Sequence, residues 1–568
     1  MHELDVALLA KDIDAERERF KVRGTAVVVV QDGEVVLSTG FGERDAAKGL
    51  PVTDTTLFAI GSSTKAFTCT VLATLVDEGL LSWDRPVRHY LPKFDLVDPV
   101  ATANLTLRDM LSHRSGLPRH DLVWYGDTAL ARKDVVERLA VLKPNKGLRE
   151  LWQYNNLMYI TAGYLTELTL GCTWEEAVRQ RILDPLGMTN TNFSVVDSQR
   201  SADHSLPYIE RPTGEVALMP FRGLDLAGPA GSINSCVADM SRWLLLNCGG
   251  GEVDGQRLVS AAALREIHSV SMAMPDAGRL FDEVSPVGYG MGWMVDNYRG
   301  QRVLHHGGNI DGFSALVSFA PKANTGVVIL TNMNATPMRE VVAYRVWDEV
   351  FGLESLPWGE RLRGVVESMM TGATQAKEHR AGQAKPLPPS HPLEEYAGLY
   401  VHPGYGTFAV TVVDDKLVPD FHGLDASLAH RHLDVWDLRV ELQDQELPIA
   451  FQTNFDAEVD GLIAVLEPTV DPIRFERQAD PALSDPAVLA RFVGSYVMGP
   501  LAVKVTLNDS GVLIGESQPG GTFELEPWRG TTFGVKGAPM GKIEFVVDGD
   551  KVVRLVAGAG IFERVVEG

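Results

Sequence analysis

The chain has 568 residues, of which 45% are hydrophobic and 22% charged. One hydrophobic core does not sustain this length, and the composition is that of an ordinary globular protein, so several folded domains are expected. A net charge of −23 argues against nucleic acid as a partner, and no run reaches the roughly 18 to 20 apolar residues that a membrane-spanning helix needs.

Targeting and metal-binding signals are weak throughout. The N-terminal segment MHELDVALLAKDIDAERERF mixes acids and bases and lacks the features of a secretory leader, which favours a cytoplasmic location. The four cysteines show no CxxC spacing, and we interpret them as small buried apolar groups. The run HRHLD, which begins at His430, is more typical of solvent-facing strand positions than of a metal site. We therefore expect no metal and no cofactor.

Two β-rich stretches bracket a helical middle. GTAVVVVQDGEVVLSTGFGERD predicts two strands joined at Asp32-Gly33, a strong hairpin signal. The next segment, TTLFAIGSSTKAFTCTVLATLVDEGLLS, has apolar residues at helical spacing until Gly79 ends the helix. From Leu105 to about Leu246 the pattern is mainly helices and loops, and strands return in SALVSFAP and GVVILTNM. We expect the first and last stretches to share one sheet, with the helical part beside it.

The C-terminal part of the sequence repeats itself. A first domain of residues 1–355 is followed at 356–392 by a polar helical stretch and the proline-rich run AGQAKPLPPSHP, which suits a linker. Beyond it LEEYAGLYV returns as LARFVGSYV, TVVDDKLV as VTLNDSGVLI, and IRFERQ as GIFERV. The two copies, residues 393–480 and 481–568, are rich in short alternating strands, which predicts two small antiparallel barrels or sandwiches.

Ser62 and Lys65 stand three residues apart at the start of the predicted helix. In one interpretation, Ser62 caps the helix and Lys65 is an exposed residue of its first turn. In the other they are a catalytic pair, since positions i and i+3 share a helix face. A lysine among apolar residues at the positive end of a helix dipole is expected to have a lowered pKa, as a general base for serine requires. The four-residue pattern alone does not decide between these interpretations.

Further motifs follow in a fixed order: LSHRSGLP, YNN at Tyr154, AGPAGSINSCVADMSRWL at Ala227, and HHGGNIDGFSA at His305. Together with GSSTKAFT they resemble the serine β-lactamase and penicillin-binding protein family, in the branch that holds class C β-lactamases, D-alanyl-D-alanine carboxypeptidases, D-aminopeptidases and related esterases. This resemblance implies an α/β (α+β) catalytic domain, with an antiparallel sheet flanked by helices and a mainly helical subdomain. The two C-terminal units resemble, more loosely, the lipocalin-like domains of D-aminopeptidase-type members.

The resemblance also implies roles for polar residues of the GSSTKAFT and YNN motifs. Ser62 corresponds to the acylated nucleophile and Lys65 to its partner. Tyr154 corresponds to the tyrosine of the Y-x-N element, and Asn156 to the amide that holds the substrate. Either Lys65 or a Tyr154 phenolate could take the proton from Ser62, and the sequence leaves that choice open. His113 in LSHRSGLP is expected to be structural.

The last motif implies the substrate-binding edge of the sheet. His306-Gly307-Gly308 stands where many members have Lys-Thr-Gly, so His306 replaces a lysine. By analogy the backbone N–H groups of Ser62 and Asn309 would form the oxyanion hole, and the glycines let backbone approach the substrate. The sequence assigns no role to His305.

These residues predict a serine hydrolase that cleaves an amide or ester through an acyl-Ser62 intermediate. A peptidase or amidase of D-aminopeptidase type is favoured over a β-lactamase, because His306 removes a fixed positive charge for a substrate carboxylate. A carboxylesterase, a peptide cyclase and a binding protein without turnover are the alternatives. The expected partner is a small peptide, amide or ester, and a homo-oligomer stays open. The C-terminal units could be spacers, oligomerisation surfaces or walls of the cleft.

Overall fold

The described chain comprises residues 4–127, 129–211, 213–274, 279–383, 387–440, 445–518 and 520–565 of a computed structural model. It divides into two compact units, the first formed by Met1–Ala384 with Leu466–Asp471, the second by Lys385–Val465 and Pro472–Gly568. Among the described residues, no helix combines the length and the apolar character that crossing a bilayer requires. Residues 384–386 of the predicted linker lie outside the described residues, and the domain limits at 355, 392 and 480 stay predictions.

The helices of the described residues are α1 Val6–Arg19, α2 Thr64–Asp77, α3 Pro99–Asn104, α4 Leu107–Leu111, α5 Arg132–Arg138, α6 Asn156–Leu170, α7 Trp174–Val178, α8 Asp184–Leu186, α9 Val195–Arg200, α10 Gly228–Gly231, α11 Val237–Cys248, α12 Ala261–His268, α13 Met338–Val350, α14 Trp358–Gln383, α15 Leu393–Tyr396 and α16 Pro486–Leu489. The strands of the first unit are β1 Gly24–Gln31, β2 Glu34–Asp45, β3 Leu50–Pro51, β4 Phe58–Ala59, β5 Tyr208–Glu210, β6 Val216–Leu218, β7 Asn234–Ser235, β8 Glu252–Val253, β9 Gln256–Arg257, β10 Met272–Ala273, β11 Val284–Tyr289, β12 Met294–Tyr298, β13 Gln301–Ile310, β14 Phe313–Ala320 and β15 Thr325–Thr331.

The first unit is built on a nine-stranded antiparallel sheet in the order β10-β11-β12-β13-β14-β15-β1-β2-β3. The Asp32-Gly33 turn closes the predicted hairpin, with φ of 52° and 86°, as a tight turn between right-twisted strands requires. Strand β1 pairs with β15, so the two β-rich stretches share one sheet, as the sequence predicted.

Both faces of this sheet are covered, which explains the nearly continuous apolar run of β1. Successive side chains of a strand point to opposite faces. Ala26, Val28 and Val30 join one core, which includes residues of α2 and α11. Val27 and Val29 join the other, which includes residues of α1 and α13. Helix α2, which begins just after Ser62, is therefore buried for most of its length against the sheet.

The strands of the second unit are β16 Gly398–His402, β17 Gly406–Val413, β18 Lys416–Phe421, β19 Ala426–His432, β20 Val435–Val440, β21 Gln445–Thr453, β22 Val459–Ala464 and β23 Ile473–Arg477, then β24 Gly494–Met498, β25 Leu501–Leu507, β26 Leu513–Gln518, β27 Gly521–Arg529, β28 Thr532–Val535, β29 Ala538–Asp548, β30 Lys551–Ala557 and β31 Gly560–Arg564. The first eight form one antiparallel sheet in the order β18-β17-β16-β23-β22-β21-β20-β19, and the last eight form a closed barrel.

The sequence repeat is also visible in hydrogen bonds. Tyr400 donates its hydroxyl proton to the Tyr396 carbonyl over 2.8 Å, and Tyr496 makes the same bond to Phe492 over 2.8 Å. The arginines that end the IRFER and GIFER runs bond backbone carbonyls at the start of their own copies, and each guanidinium lies over the corresponding tyrosine ring. In each repeat the same Tyr-Arg pair thus links the first strand to the last, and the predicted fold class is confirmed.

Candidate active site

Ser62 occupies a short 3₁₀ turn, Gly61–Ser63, immediately before α2. The N-cap of α2 is Ser63, and it makes no side-chain capping bond. The Ser62 hydroxyl is only partly buried, whereas Lys65 is 0% exposed. The interpretation of Lys65 as an exposed first-turn lysine is therefore wrong, because α6 and α10 supply groups that enclose its amine.

Three oxygen atoms surround the Lys65 amine. Nζ lies 3.1 Å from Ser62 Oγ, 2.7 Å from Asn156 Oδ1 and 2.8 Å from the Ala230 carbonyl oxygen. Burial lowers the pKa of Lys65 well below its ordinary value, and the charge of Arg119 lowers it further. A neutral amine can donate to Asn156 and Ala230 and turn its lone pair toward Ser62. This arrangement allows Lys65 to accept the Ser62 proton.

Tyr154 lies beside this pair, just before α6. Asn155 is the N-cap of α6 and accepts from Met158 N over 2.9 Å, so the YNN run sets Tyr154 outside the helix and Asn156 at its first position. The Tyr154 hydroxyl hydrogen-bonds with Ser62, and Lys65 Nζ is 4.8 Å from the Tyr154 ring centroid. Burial raises the pKa of Tyr154, so the phenol stays protonated near neutral pH.

We expect Tyr154→Phe to lower kcat by about 10²-fold and to leave KM within about threefold, because it removes a proton-transfer group but keeps the buried ring. Steady-state kinetics on the best substrate checks this. Tyr90→Phe is the matched control at a tyrosine that does not line the cleft. Equal kcat for Tyr154→Phe and the wild type would contradict a role in proton transfer.

His113 supports Tyr154 from behind. The two ring centroids are 4.4 Å apart, and His113 Nδ1 accepts a hydrogen bond from Asn155 N over 3.0 Å. Burial lowers the pKa of His113 well below its ordinary value. A neutral, buried imidazole that fixes the YNN backbone is consistent with the structural role expected from the sequence.

Asn156 has both ends of its amide engaged by the protein. Oδ1 accepts from Lys65, and Nδ2 donates to Asp121 Oδ1 over 2.9 Å. Asp121 Oδ2 also accepts from Arg119 Nε over 2.6 Å. Asp121 therefore orients Asn156 toward Lys65. Sequence reasoning missed Arg119 and Asp121, although both lie within three residues after the LSHRSGLP motif.

His306 faces protein atoms through both ring nitrogens. Nδ1 donates to the Gly307 carbonyl over 2.7 Å, which leaves Nε2 to accept from the Tyr289 hydroxyl over 3.0 Å. The ring is 1% exposed, and burial lowers the pKa of His306 to about 3. His306 is thus neutral at the position where the resemblance to the family led us to expect a lysine. Tyr289, which fixes it, had no signal in the sequence.

His305 points to the neighbouring strand. Its Nε2 lies 2.9 Å from Asp296 Oδ2 on β12. Burial alone would lower the pKa of His305, but the Asp296 carboxylate outweighs it, so the pKa is raised. His305 lines the cleft with the Arg339 and Glu340 side chains.

Strand β13 packs closely against the turn that holds Ser62. A Cβ added at Gly308 would lie 1.9 Å from the Ile60 carbonyl oxygen and 3.1 Å from Ser62 N. Asp311 and Gly312 have φ of 27° and 89° and form a two-residue hairpin turn, so Ile310 and Phe313 exchange both backbone bonds. The next pair, Asn309 with Ser314, is a non-hydrogen-bonded pair of the ladder, so the Asn309 N–H points away from β14. Because β12 reaches no further along β13 than His305, this N–H faces the Ser62 side.

We expect Gly308→Ala to reduce activity at least about 10-fold and to lower Tm by several degrees, because the added methyl would push β13 from the Ser62 turn. Kinetics and thermal unfolding of the purified variant check this. Gly364→Ala in α14 is the control, since a Cβ there meets no atom within 4 Å. That variant should keep full activity, and its Tm should not fall, because alanine favours helix. An unaffected Gly308→Ala would contradict the close approach.

An open cleft runs past Ser62 between the Tyr154 side and β13. Its remaining wall comes from Leu466–Asp471, the segment between β22 and β23 that belongs to the first unit. Glu467 Oε2 accepts from His120 N over 3.2 Å, and Oε1 accepts from Thr469 Oγ1 over 2.7 Å. These bonds hold the segment beside Arg119, whose side chain is 55% exposed. The cleft is therefore lined by charges of both signs.

The sheet, the flanking helices and the Ser-Lys pair at the start of a buried helix define the serine β-lactamase and penicillin-binding protein class. The chain belongs to the Beta-lactamase family, whose model matches residues 9–351. Residues 383–477 match a second family, described as Domain of unknown function (DUF3471).

Relatives agree with this assignment, and solved structures agree with the fold. The chain is 30% identical to the Unguisins hydrolase ungD of Aspergillus violaceofuscus over 448 residues, 72% of this chain and 78% of that protein. It is 23% identical to the Protein flp of Staphylococcus aureus, over 59% of this chain and 64% of that protein. Its fold is similar to an octameric penicillin-binding protein homologue from Pyrococcus abyssi, with TM-score 0.55, 22% identity and coverage of 83% and 100%. It is also similar to the D-amino acid amidase from Ochrobactrum anthropi, with TM-score 0.52, 22% identity and coverage of 61% and 98%.

Proposed function

We propose that this protein is a serine hydrolase that cleaves amide bonds through an acyl-Ser62 intermediate, as a peptidase or amidase of D-aminopeptidase type. The observation that carries the proposal is the 3.1 Å contact between Ser62 Oγ and the amine of Lys65. That amine is fully buried, and its pKa is lowered, so a base stands next to a partly exposed nucleophile.

The chemistry proceeds in two half-reactions. Neutral Lys65 takes the Ser62 proton while Oγ attacks the substrate carbonyl, and the N–H groups of Ser62 and Asn309 stabilise the developing oxyanion. Tyr154, still protonated, donates its proton to the leaving nitrogen and recovers one from Lys65. Water then attacks the acyl-Ser62 carbonyl and gives one proton to Lys65, and a proton is passed back to Ser62 Oγ as its bond to the acyl carbon breaks. The raised pKa of Tyr154 favours Lys65 over a tyrosinate as the first base.

Hydrolysis of an amide is better supported than the alternatives. A similar protein is named an unguisins hydrolase, and a similar structure is named a D-amino acid amidase. Neutral His306 offers no fixed charge to a β-lactam carboxylate. The enclosed Ser62-Lys65-Tyr154 cluster disfavours a binding protein without turnover. Homo-oligomerisation, supported by the octameric homologue from Pyrococcus abyssi, is a further part of the proposal.

A substrate panel tests the proposal. It comprises D- and L-aminoacyl anilides, short linear peptides, p-nitrophenyl esters and a chromogenic cephalosporin, each followed by product mass. We expect the highest kcat/KM on an amide with a D-residue on the acyl side, and two products whose masses add up to that of the substrate plus one water. Ester-only turnover would favour the carboxylesterase. A peptide product whose mass equals that of the substrate minus its leaving group, with no water gained, would favour the cyclase.

A further inference from the structure

Arg339 lies near the start of α13 and reaches the edge of β13. One of its terminal nitrogens, Nη1, donates to the Gly308 carbonyl oxygen over 2.7 Å and to Asn309 Oδ1 over 2.8 Å. Its Nε donates to Glu340 Oε1 over 2.8 Å. The side chain is only 12% exposed, so the guanidinium is held against the strand. Because arginine only donates, this contact also fixes which end of the Asn309 amide faces it.

The Gly308 carbonyl and the Asn309 N–H belong to one peptide group. In a trans peptide these two atoms point in opposite directions. The carbonyl points toward β14 and Arg339, while the N–H points toward the turn that holds Ser62. A cation that bonds the carbonyl oxygen draws electron density from the nitrogen through the amide resonance. The N–H on the other side becomes a stronger hydrogen-bond donor.

We propose that Arg339 is a positioning residue for the oxyanion hole, which it strengthens by polarising the Gly308–Asn309 peptide and by anchoring Asn309. This inference rests on the proposed function. It does not require Arg339 to touch the substrate, because its contacts lie on the far side of the peptide from Ser62. The strengthened donor acts where charge develops, so Arg339 should affect the transition state more than substrate binding.

The test replaces Arg339 with methionine, glutamine and lysine in the full chain. We expect Arg339→Met to lower kcat about 10-fold, less than the roughly 10²- to 10³-fold loss caused by removing a whole oxyanion donor, with KM within about twofold. Arg339→Lys should retain more kcat than Arg339→Gln, since only lysine keeps the charge. Infrared difference spectra of a slowly deacylating, ¹³C=O-labelled acyl-enzyme should show the carbonyl stretch at higher wavenumber in Arg339→Met.

Arg345→Met is the matched control, because Arg345 lies on the same helix and bonds Asp12 Oδ2 over 2.9 Å, outside the cleft. The inference would be overturned if Arg339→Met left kcat and the carbonyl stretch unchanged, or if it changed KM alone. It would also be overturned if Arg345→Met lost as much kcat as Arg339→Met. If Arg339→Met does not fold, the other two variants decide. A kcat of Arg339→Lys above that of Arg339→Gln would support the inference, and equal values would overturn it. An inactive, unlabelled wild type would overturn the proposed function and this inference together, whereas an active wild type with unaffected variants would overturn only the inference.

Discussion

Ser62→Ala is expected to reduce kcat by about 10⁴-fold or more on every substrate that the wild type turns over, because the variant has no oxygen to acylate. Steady-state kinetics with enough enzyme to detect the residual rate measures this loss. The fold should be unaffected, since the Ser62 hydroxyl caps no helix and is only partly buried. Circular dichroism and Tm should therefore match the wild type.

The neighbouring serine provides the control for Ser62→Ala. Ser63 Oγ donates to the His306 carbonyl over 3.0 Å and so joins α2 to β13, but it does not face the cleft. Ser63→Ala should cost less than about 10-fold in kcat, with a small loss of stability. If Ser62→Ala kept activity within about 10-fold of the wild type, acyl transfer through Ser62 would be contradicted.

Lys65→Met is expected to lower kcat by about 10³-fold, because it removes the base that takes the Ser62 proton. The protein should still fold, since an apolar side chain of similar length replaces a buried amine. Fluorophosphonate labelling of Ser62 should slow in parallel with turnover. Lys133→Met, at a lysine whose side chain is 60% exposed on α5, is the control and should show wild-type kinetics.

The lowered pKa of Lys65 also fixes the pH dependence. Below that pKa the amine is protonated and cannot act as a base, so kcat/KM should fall as the pH drops through it and reach a plateau above it. The midpoint should lie well below the ordinary lysine value. A profile that rises only near pH 10 would instead indicate an unperturbed lysine or a tyrosinate base.

Features set by local pattern could be predicted from the sequence. The Asp32-Gly33 turn needs two residues with positive φ, and Asp-Gly is a residue pair that favours this conformation. The nearly continuous apolar runs of β1 and β15 predict strands of a sheet that is covered on both faces, and the two strands do pair. The Tyr-Arg pairs of the two C-terminal repeats lie inside the motifs that repeat. Ser62 and Lys65 are three residues apart in the sequence, so their proximity was also local.

Features that depend on distant segments could not be predicted. The burial of Lys65 requires Ala230, which is 165 residues away, and the state of His306 requires the Tyr289 hydroxyl. The Arg339 contact with Gly308 depends on where α13 begins relative to β13. The cleft wall at Leu466–Asp471 comes from a loop between strands of the second unit, which no motif marks. In each case the sequence gives the chemical type of the residue, but it does not show which distant residue that residue contacts.

The most direct test of the central claim is to locate the acyl group. The wild type is quenched in acid during turnover of its best amide, or after reaction with a fluorophosphonate, and its peptides are sequenced by mass spectrometry. We predict an adduct of the acyl or phosphonyl mass on Ser62, absent from Ser62→Ala. An adduct on another residue, or sustained turnover with Ser62 never modified, would contradict the account.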